Sequence, residues 1–345
     1  MKKQLLNNTD LEVSQLCMGT MTFGEQNTPI ESHQILDYAF DHGINFFDTA
    51  EMYPIPPKAA THFKTEEIIG HWSKFRHQRH QIILATKIIG PSSTMTYIRG
   101  GSQVIKNNMK MAITGSLTRL KTDYIDLYQL HWPARPTNYF GQLGYSYPQN
   151  LRDDQILETL EAFEALKKEG LIRAYGVSNE TPWGLMKYQE LSKREGFTGI
   201  STIQNPYNLL NRTFEIGMAE ICHREKIQLL AYSPLGFGVL SGKYVSNTSS
   251  PKDRLNQFPD YRRYSNPAAI EATKKYWELA KEHHISLSQL ALQFVNTRKF
   301  LGSNIIGATT IEQLRENIES INLELSQELL NKLEAIHHGH PNPSP

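Results

Sequence analysis

The chain has 345 residues, 39% of them hydrophobic, enough to bury one large core or two ordinary ones. Its 36 Lys and Arg stand against 35 Asp and Glu with no block of either sign, which argues against a nucleic-acid or anionic-lipid surface and for a small uncharged or phosphorylated partner. Cys17 and Cys222 lie far apart in apolar segments, as reduced buried thiols do. The amino terminus is too polar for a signal peptide, and no apolar run approaches the about 18 residues of a membrane span, so a cytoplasmic location is expected.

From Leu16 onward, short β-rich runs alternate with longer stretches of helical period. The strand candidates are QLCMG (15–19), INFFD (44–48), QIILATK (81–87), YIDLYQLH (124–131), IRAYGVSN (172–179), GISTIQ (199–204), IQLLAYS (227–233) and SNIIGA (303–308). Amphipathic segments separate them, among them ESHQILDYAFDHG, KNNMKMAITGSLTRLKTD and DDQILETLEAFEALKKEG; Asp153 is a cap for the last and Gly170 its stop. Eight alternating strands predict a closed parallel (β/α)8 barrel over one domain spanning 1–345, with an open doubly wound sheet as the competitor. KQLLNNTDLEVSQL reads as a β-hairpin plugging the amino-terminal end, SQELLNKLEAIHH as an extra carboxyl-terminal helix, and 339–345 as a disordered tail.

Three connections, 53–67, 132–154 and 234–267, are longer than a barrel needs. All follow strands, so they lie at the carboxyl-terminal face, where sites of this fold are built. The same face collects the residues that end the second to the seventh strands: Asp48, Lys87, His131, Ser178 and Asn179, Gln204, then Tyr232 and Ser233. Any one of them has an ordinary structural explanation. In a closed barrel they form a ring, with Tyr53 just beyond Asp48.

On FFDTAEMY, LATK and LHWP, together with GVSN, IQNPYN, AYSPLGFGVLSGKY and GATTIEQLRENI, the sequence resembles an aldo-keto reductase over nearly its whole length. GTMTFGEQ, AEMYP and HWPARPTN are most similar to the Tas-like group, which also resembles potassium-channel β subunits. The resemblance implies a catalytic tetrad of Asp48, Tyr53, Lys87 and His131, and NADPH-dependent reduction of a small carbonyl compound. In that chemistry Tyr53 is the acid, Lys87 lowers its pKa toward the working range, Asp48 keeps Lys87 charged, and His131 orients the carbonyl.

It also implies a cofactor site. Ser178, Asn179 and Gln204 hold the carboxamide, and Tyr232 stacks on the nicotinamide. The stretch Ser233 to Lys243, with Pro234, Leu235, Gly236, Gly238, Leu240 and Ser241, wraps the pyrophosphate. Thr309, Gln313, Glu316 and Asn317 surround the adenosine, and Gly19, Thr20, Met21 and Gly307 join the cofactor set. Lys243, Arg254 and Thr309 are candidates for the 2′-phosphate, favouring NADPH over NADH. Phe23 and Trp132 are expected in the substrate pocket, and the aromatics Tyr139, Phe140, Tyr145 and Tyr147 either line it or pack their loop. IHHGH (336–340) is not read as a metal site. Two rivals are a redox-sensing module that binds NADP(H) without turnover, and a metal-dependent barrel hydrolase; the second wants an H-x-H after the first strand, which CMGTMTFG lacks.

Overall fold

The computed structural model describes residues 1–101, 106–149, 151 and 154–345, so the cap expected at Asp153 lies outside the described residues. The chain opens with an antiparallel hairpin, β1 (Lys3–Leu5) and β2 (Glu12–Ser14). Eight parallel strands then close into the expected barrel. They are β3 (Leu16–Gly19), β4 (Phe46–Asp48), β5 (Ile83–Ile88), β6 (Ile125–Leu130), β7 (Ile172–Ser178), β8 (Thr202–Pro206), β9 (Gln228–Tyr232) and β10 (Leu301–Ile306). Neighbours pair in chain order, and β10 returns to β3 with Asn304 opposite Leu16.

Around the barrel run α1 (Pro29–Asp41), α2 (Lys64–His71), α3 (Ser73–His77), α4 (Lys106–Leu120), α5 (Asp154–Lys168), α6 (Pro182–Glu195) and α7 (Met218–Glu225). They are followed by α8 (Arg254–Gln257), α9 (Pro267–Glu282), α10 (Leu287–Asn296), α11 (Ile311–Glu319) and the terminal α12 (Gln327–Gly339). Local sequence sets their starts. Thr28 and Glu31 form a reciprocal capping box on α1, and Thr181, Asn266, Ser286, Thr310 and Ser326 each accept an amide of the first turn, worth about 1 kcal/mol per cap. Gly170 takes φ +75° just past α5, as its stop requires.

Strand periodicity then aims the site. Phe46, Ile83, Ala85, Leu127, Ala174 and Leu230 fill the barrel interior, while their neighbours Phe47, Leu84, Tyr128, Tyr175 and Leu229 pack outward under the helices. Counting on by two along the inward set reaches Asp48, Lys87, Gln129 and His131, Ser178, and Tyr232. From below, Leu6, Leu11 and Val13 join the interior cluster, so the hairpin seals the amino-terminal end.

The carboxyl-terminal segment is not the disordered tail its Pro- and Asn-rich sequence suggested. Ser344 is buried, its amide donating to Leu210 O at 3.0 Å; Asn342 Oδ1 accepts from the Arg212 amide, Asn266 Nδ2 donates to Pro343 O and Arg263 Nε to Pro345 O. The polar residues are partners for loop groups that would otherwise lack them. No helix among the described residues is long and apolar enough to cross a membrane.

Candidate active site

At the carboxyl-terminal mouth, Lys87 is fully buried, and its Nζ lies 2.5 Å from Asp48 Oδ2 and 2.9 Å from Thr49 O. The same ammonium stands 5.1 Å from the centre of the Tyr53 ring, and the Tyr53 and His131 rings meet edge to face at 5.7 Å. The four side chains expected together are therefore together. Asp48 is held from its other side as well: Oδ1 accepts from Gln204 Nε2 at 2.9 Å and Gln129 Nε2 at 3.3 Å. Gln129 did not stand out in the sequence, although it lies two residues before His131 on the inward face of β6.

Burial and charge set the protonation states. Burial works against a charged Lys87, but Asp48 outweighs it and raises the ammonium above its ordinary range. Burial pushes the Tyr53 phenol up, and the Lys87 charge offsets only part of that, so in the ligand-free protein Tyr53 lies above its ordinary value rather than below it. Lys87 thus acts in the expected direction, but at this buried phenol desolvation is the larger effect and the net shift is upward. Burial, reinforced by the Lys87 charge, holds His131 well below the usual imidazole value. Its ring is neutral at pH 7, and its Nδ1 is buried with no hydrogen-bond partner among the described residues.

Around the tetrad, Asn179 donates to His131 O at 2.9 Å and to Ser178 Oγ at 3.0 Å, while Tyr232 Oη donates to Asn179 Oδ1 at 2.6 Å. Ser178 Oγ donates to Gln204 O. The Gln204 amide nitrogen, expected on a carboxamide, is instead spent on Asp48 and Gln129. Thr20 is tied to Asp48 O through both its amide and its hydroxyl, and Gly19 lies so close to β10 that a Cβ would come within 2.9 Å of Ile305.

Beyond Ser233 and Pro234, the glycine-rich turn has Gly236, Phe237 and Gly238 at positive φ of 52°, 56° and 89°, and it closes on itself, with the Gly236 amide donating to Ser233 O and the Gly238 and Leu240 amides to Leu235 O. Leu235 packs partly against the core, Leu240 is fully buried in it, and Ser241 Oγ bonds back to Gly238 O. Lys243 Nζ is engaged by Asp253 at 2.6 Å. Arg254 stacks on Phe237 and Tyr261, its Nε and Nη2 are buried without partners among the described residues, and its charge acts on the Tyr53 hydroxyl.

On the far side, Thr309 and Gln313 bond each other, Asn317 Nδ2 reaches Gly307 O, and Glu316 accepts from Ser286 rather than facing open space. Phe23 is a correction: it is fully buried in the core under the helices, with its carbonyl accepting from Thr65 Oγ1 at the start of α2, and presents no surface to a substrate. Met21 is half-buried and packs on the cluster of Ala50, Met52, Tyr53, Ile89, Ile98 and Trp132. Trp132 forms the wall, with Tyr139 stacked on it at 6.3 Å and Phe140 edge-on at 5.8 Å, whereas Tyr145 and Tyr147 pair with each other and are exposed. Among the described residues no group of three or more His, Cys, Asp or Glu is placed to hold a metal ion.

The barrel that brings Asp48, Tyr53, Lys87 and His131 to its mouth is that of an oxidoreductase: the chain belongs to the aldo/keto reductase family, whose model matches residues 15–338. It is similar to Protein tas of Escherichia coli strain K12, 44% identical over 346 residues covering the whole of both chains. It is also similar to the uncharacterized oxidoreductase YrpG of Bacillus subtilis, 33% identical over 98% of this chain and 97% of that one. The NADH-specific methylglyoxal reductase of Escherichia coli is 27% identical over 94% of this chain and 95% of its own length.

Proposed function

We propose that this oxidoreductase reduces aldehydes and ketones to alcohols with NADPH, with Tyr53 as the proton donor. The carrying observation is the buried Lys87 ammonium held between Asp48 and the Tyr53 ring. The residues fit an anionic dinucleotide: Arg254 carries buried Nε and Nη2 groups with no acceptor among the described residues, and it lies over Phe237 of the glycine-rich turn. Ser178, Asn179 and Tyr232 would hold the nicotinamide end, Ser233 to Lys243 the pyrophosphate, and Thr309, Gln313 and Asn317 the adenosine. Lys243, Thr309 and Arg254 support the 2′-phosphate, hence NADPH. The bound cofactor supplies the hydride.

The chain's own groups do the rest. Neutral His131 donates from Nε2 to the carbonyl oxygen and orients it. As negative charge grows on that oxygen, Tyr53 Oη delivers its proton, and Lys87 stabilises the phenolate left behind. Asp48, fixed by Gln129 and Gln204, keeps Lys87 in place. Trp132, Met21 and Tyr139 form an apolar wall suited to an apolar or aromatic carbonyl compound. The test is a panel of aldehydes, ketones and quinones assayed with NADPH and NADH in parallel. Tight NADPH binding without turnover of any carbonyl would overturn the reductase reading, and equal use of NADH would overturn the cofactor assignment.

A further inference from the structure

Between Asp48 and Tyr53 lies a second buried acid that the chemistry above leaves unused. Glu51 is fully buried. One of its carboxylate oxygens accepts from the Ile89 amide at 2.8 Å and Arg99 Nη2 at 2.6 Å, and the other from Arg99 Nη1 at 2.6 Å. Its own amide donates to Lys87 O at 3.2 Å. A single side chain thus joins three segments: the turn that ends in Tyr53, the strand end that delivers Lys87, and the stretch 91–101. That stretch sends Met95, Tyr97 and Ile98 into the cluster packed on Tyr53 and Trp132. Arg99 sits at φ +46° to make the reach, a conformation a non-glycine residue keeps only where its surroundings hold it.

A buried ion pair is a poor source of net stability, because desolvation consumes most of its attraction. What a bidentate Arg–carboxylate pair does supply is direction. We propose that Glu51 and Arg99 are positioning residues that hold the Tyr53 hydroxyl against Lys87 and tie its placement to the pocket wall at 95–98. The proposal rests on Tyr53 being the proton donor, and the experiment separates the two.

Two variants of the full chain are compared with wild type: Arg99→Lys, which keeps the charge but cannot make two parallel bonds, and Glu51→Gln with Arg99→Met, which leaves neither charge unpaired. With saturating NADPH and an aromatic aldehyde, Arg99→Lys should lose about tenfold or more in kcat, since ångström-scale misplacement costs up to about 10²-fold. Its NADPH Kd should be unchanged and its kcat–pH profile displaced. The double variant should melt near wild type and remain slow. Wild-type kcat with a superimposable pH profile in either variant reduces the pair to a structural tie and overturns the proposal. A readout independent of turnover is ¹³C-tyrosine NMR, with the Tyr53 resonance identified by its loss in Tyr53→Phe. That resonance should move in Arg99→Lys; if it stays, the proposal fails, whether or not the chain reduces any carbonyl.

Discussion

Tyr53 shows how opposed effects are weighed at a single residue. In the proposed role as acid the group would keep its proton at rest and release it on demand, and burial favours the first while the Lys87 charge favours the second. Tyr53→Phe should therefore lower turnover by roughly 10²- to 10⁴-fold, the usual contribution of a positioned acid, with the cofactor Kd intact; steady-state rates and fluorescence titration check both. His131 gives a stability prediction with a definite sign. Because its folded pKa is depressed, the unfolded chain takes up a proton near pH 6.5 that the folded chain refuses, so stability is lost as pH falls below that value. One such group costs up to about 1.4 kcal/mol per pH unit. Denaturant melts from neutral to mildly acidic pH should show a smaller loss in His131→Asn than in wild type.

The pairing of Lys243 with Asp253 has the opposite character, an acid standing where an anionic ligand is expected. Asp253→Asn should remove that competitor and tighten NADPH by a few-fold, about 1 kcal/mol at most for a partly exposed pair, while leaving NADH unchanged. Calorimetric titration with both cofactors decides it.

Among the elements, the strands were the most legible part of the sequence because each is β-rich and six of the eight candidates end in a polar residue, and a period of two fixes which residues share the inner face. That rule aims Asp48, Lys87 and His131 with no further information. It also contained Gln129, hidden in YIDLYQLH because a lone amide among apolar residues carries no signal until its partner Asp48 is known. Phe23 failed for the complementary reason: it lies past the end of β3, where direction depends on how the chain turns. Glu51 and Arg99, 48 residues apart, meet only through the fold. The close approach of β5 to the mouth wall gives an element-level prediction. A Cβ on Gly90 would stand 2.4 Å from Trp132 Cδ1 and 2.6 Å from Trp132 O. Gly90→Ala should displace Trp132, cost about 1–3 kcal/mol as overpacking does, and raise KM for bulky aldehydes more than for small ones. A shifted tryptophan emission would accompany it, and unchanged emission and KM would contradict the wall assignment.

For the molecule as a whole, closure of the barrel was readable from the number of strands, since eight parallel strands with intervening helices have few other solutions. The packed terminus was not, because Asn342 and Ser344 look like solvated residues until the groups at Leu210, Arg212 and Asn266 are in place to receive them. The hairpin that seals the lower end with Leu6, Leu11 and Val13 has a kinetic meaning. A vessel with a stopper in its base has one doorway, and whatever enters first leaves last. The groups assigned to the nicotinamide include Ser178 and Tyr232, the last residues of β7 and β9, whereas Trp132 and Tyr139, assigned to the substrate, belong to the loop that follows β6. NADPH should therefore load before the carbonyl compound, and the alcohol should depart before NADP⁺. Product-inhibition patterns read that sequence directly: NADP⁺ should compete with NADPH, and the alcohol should not.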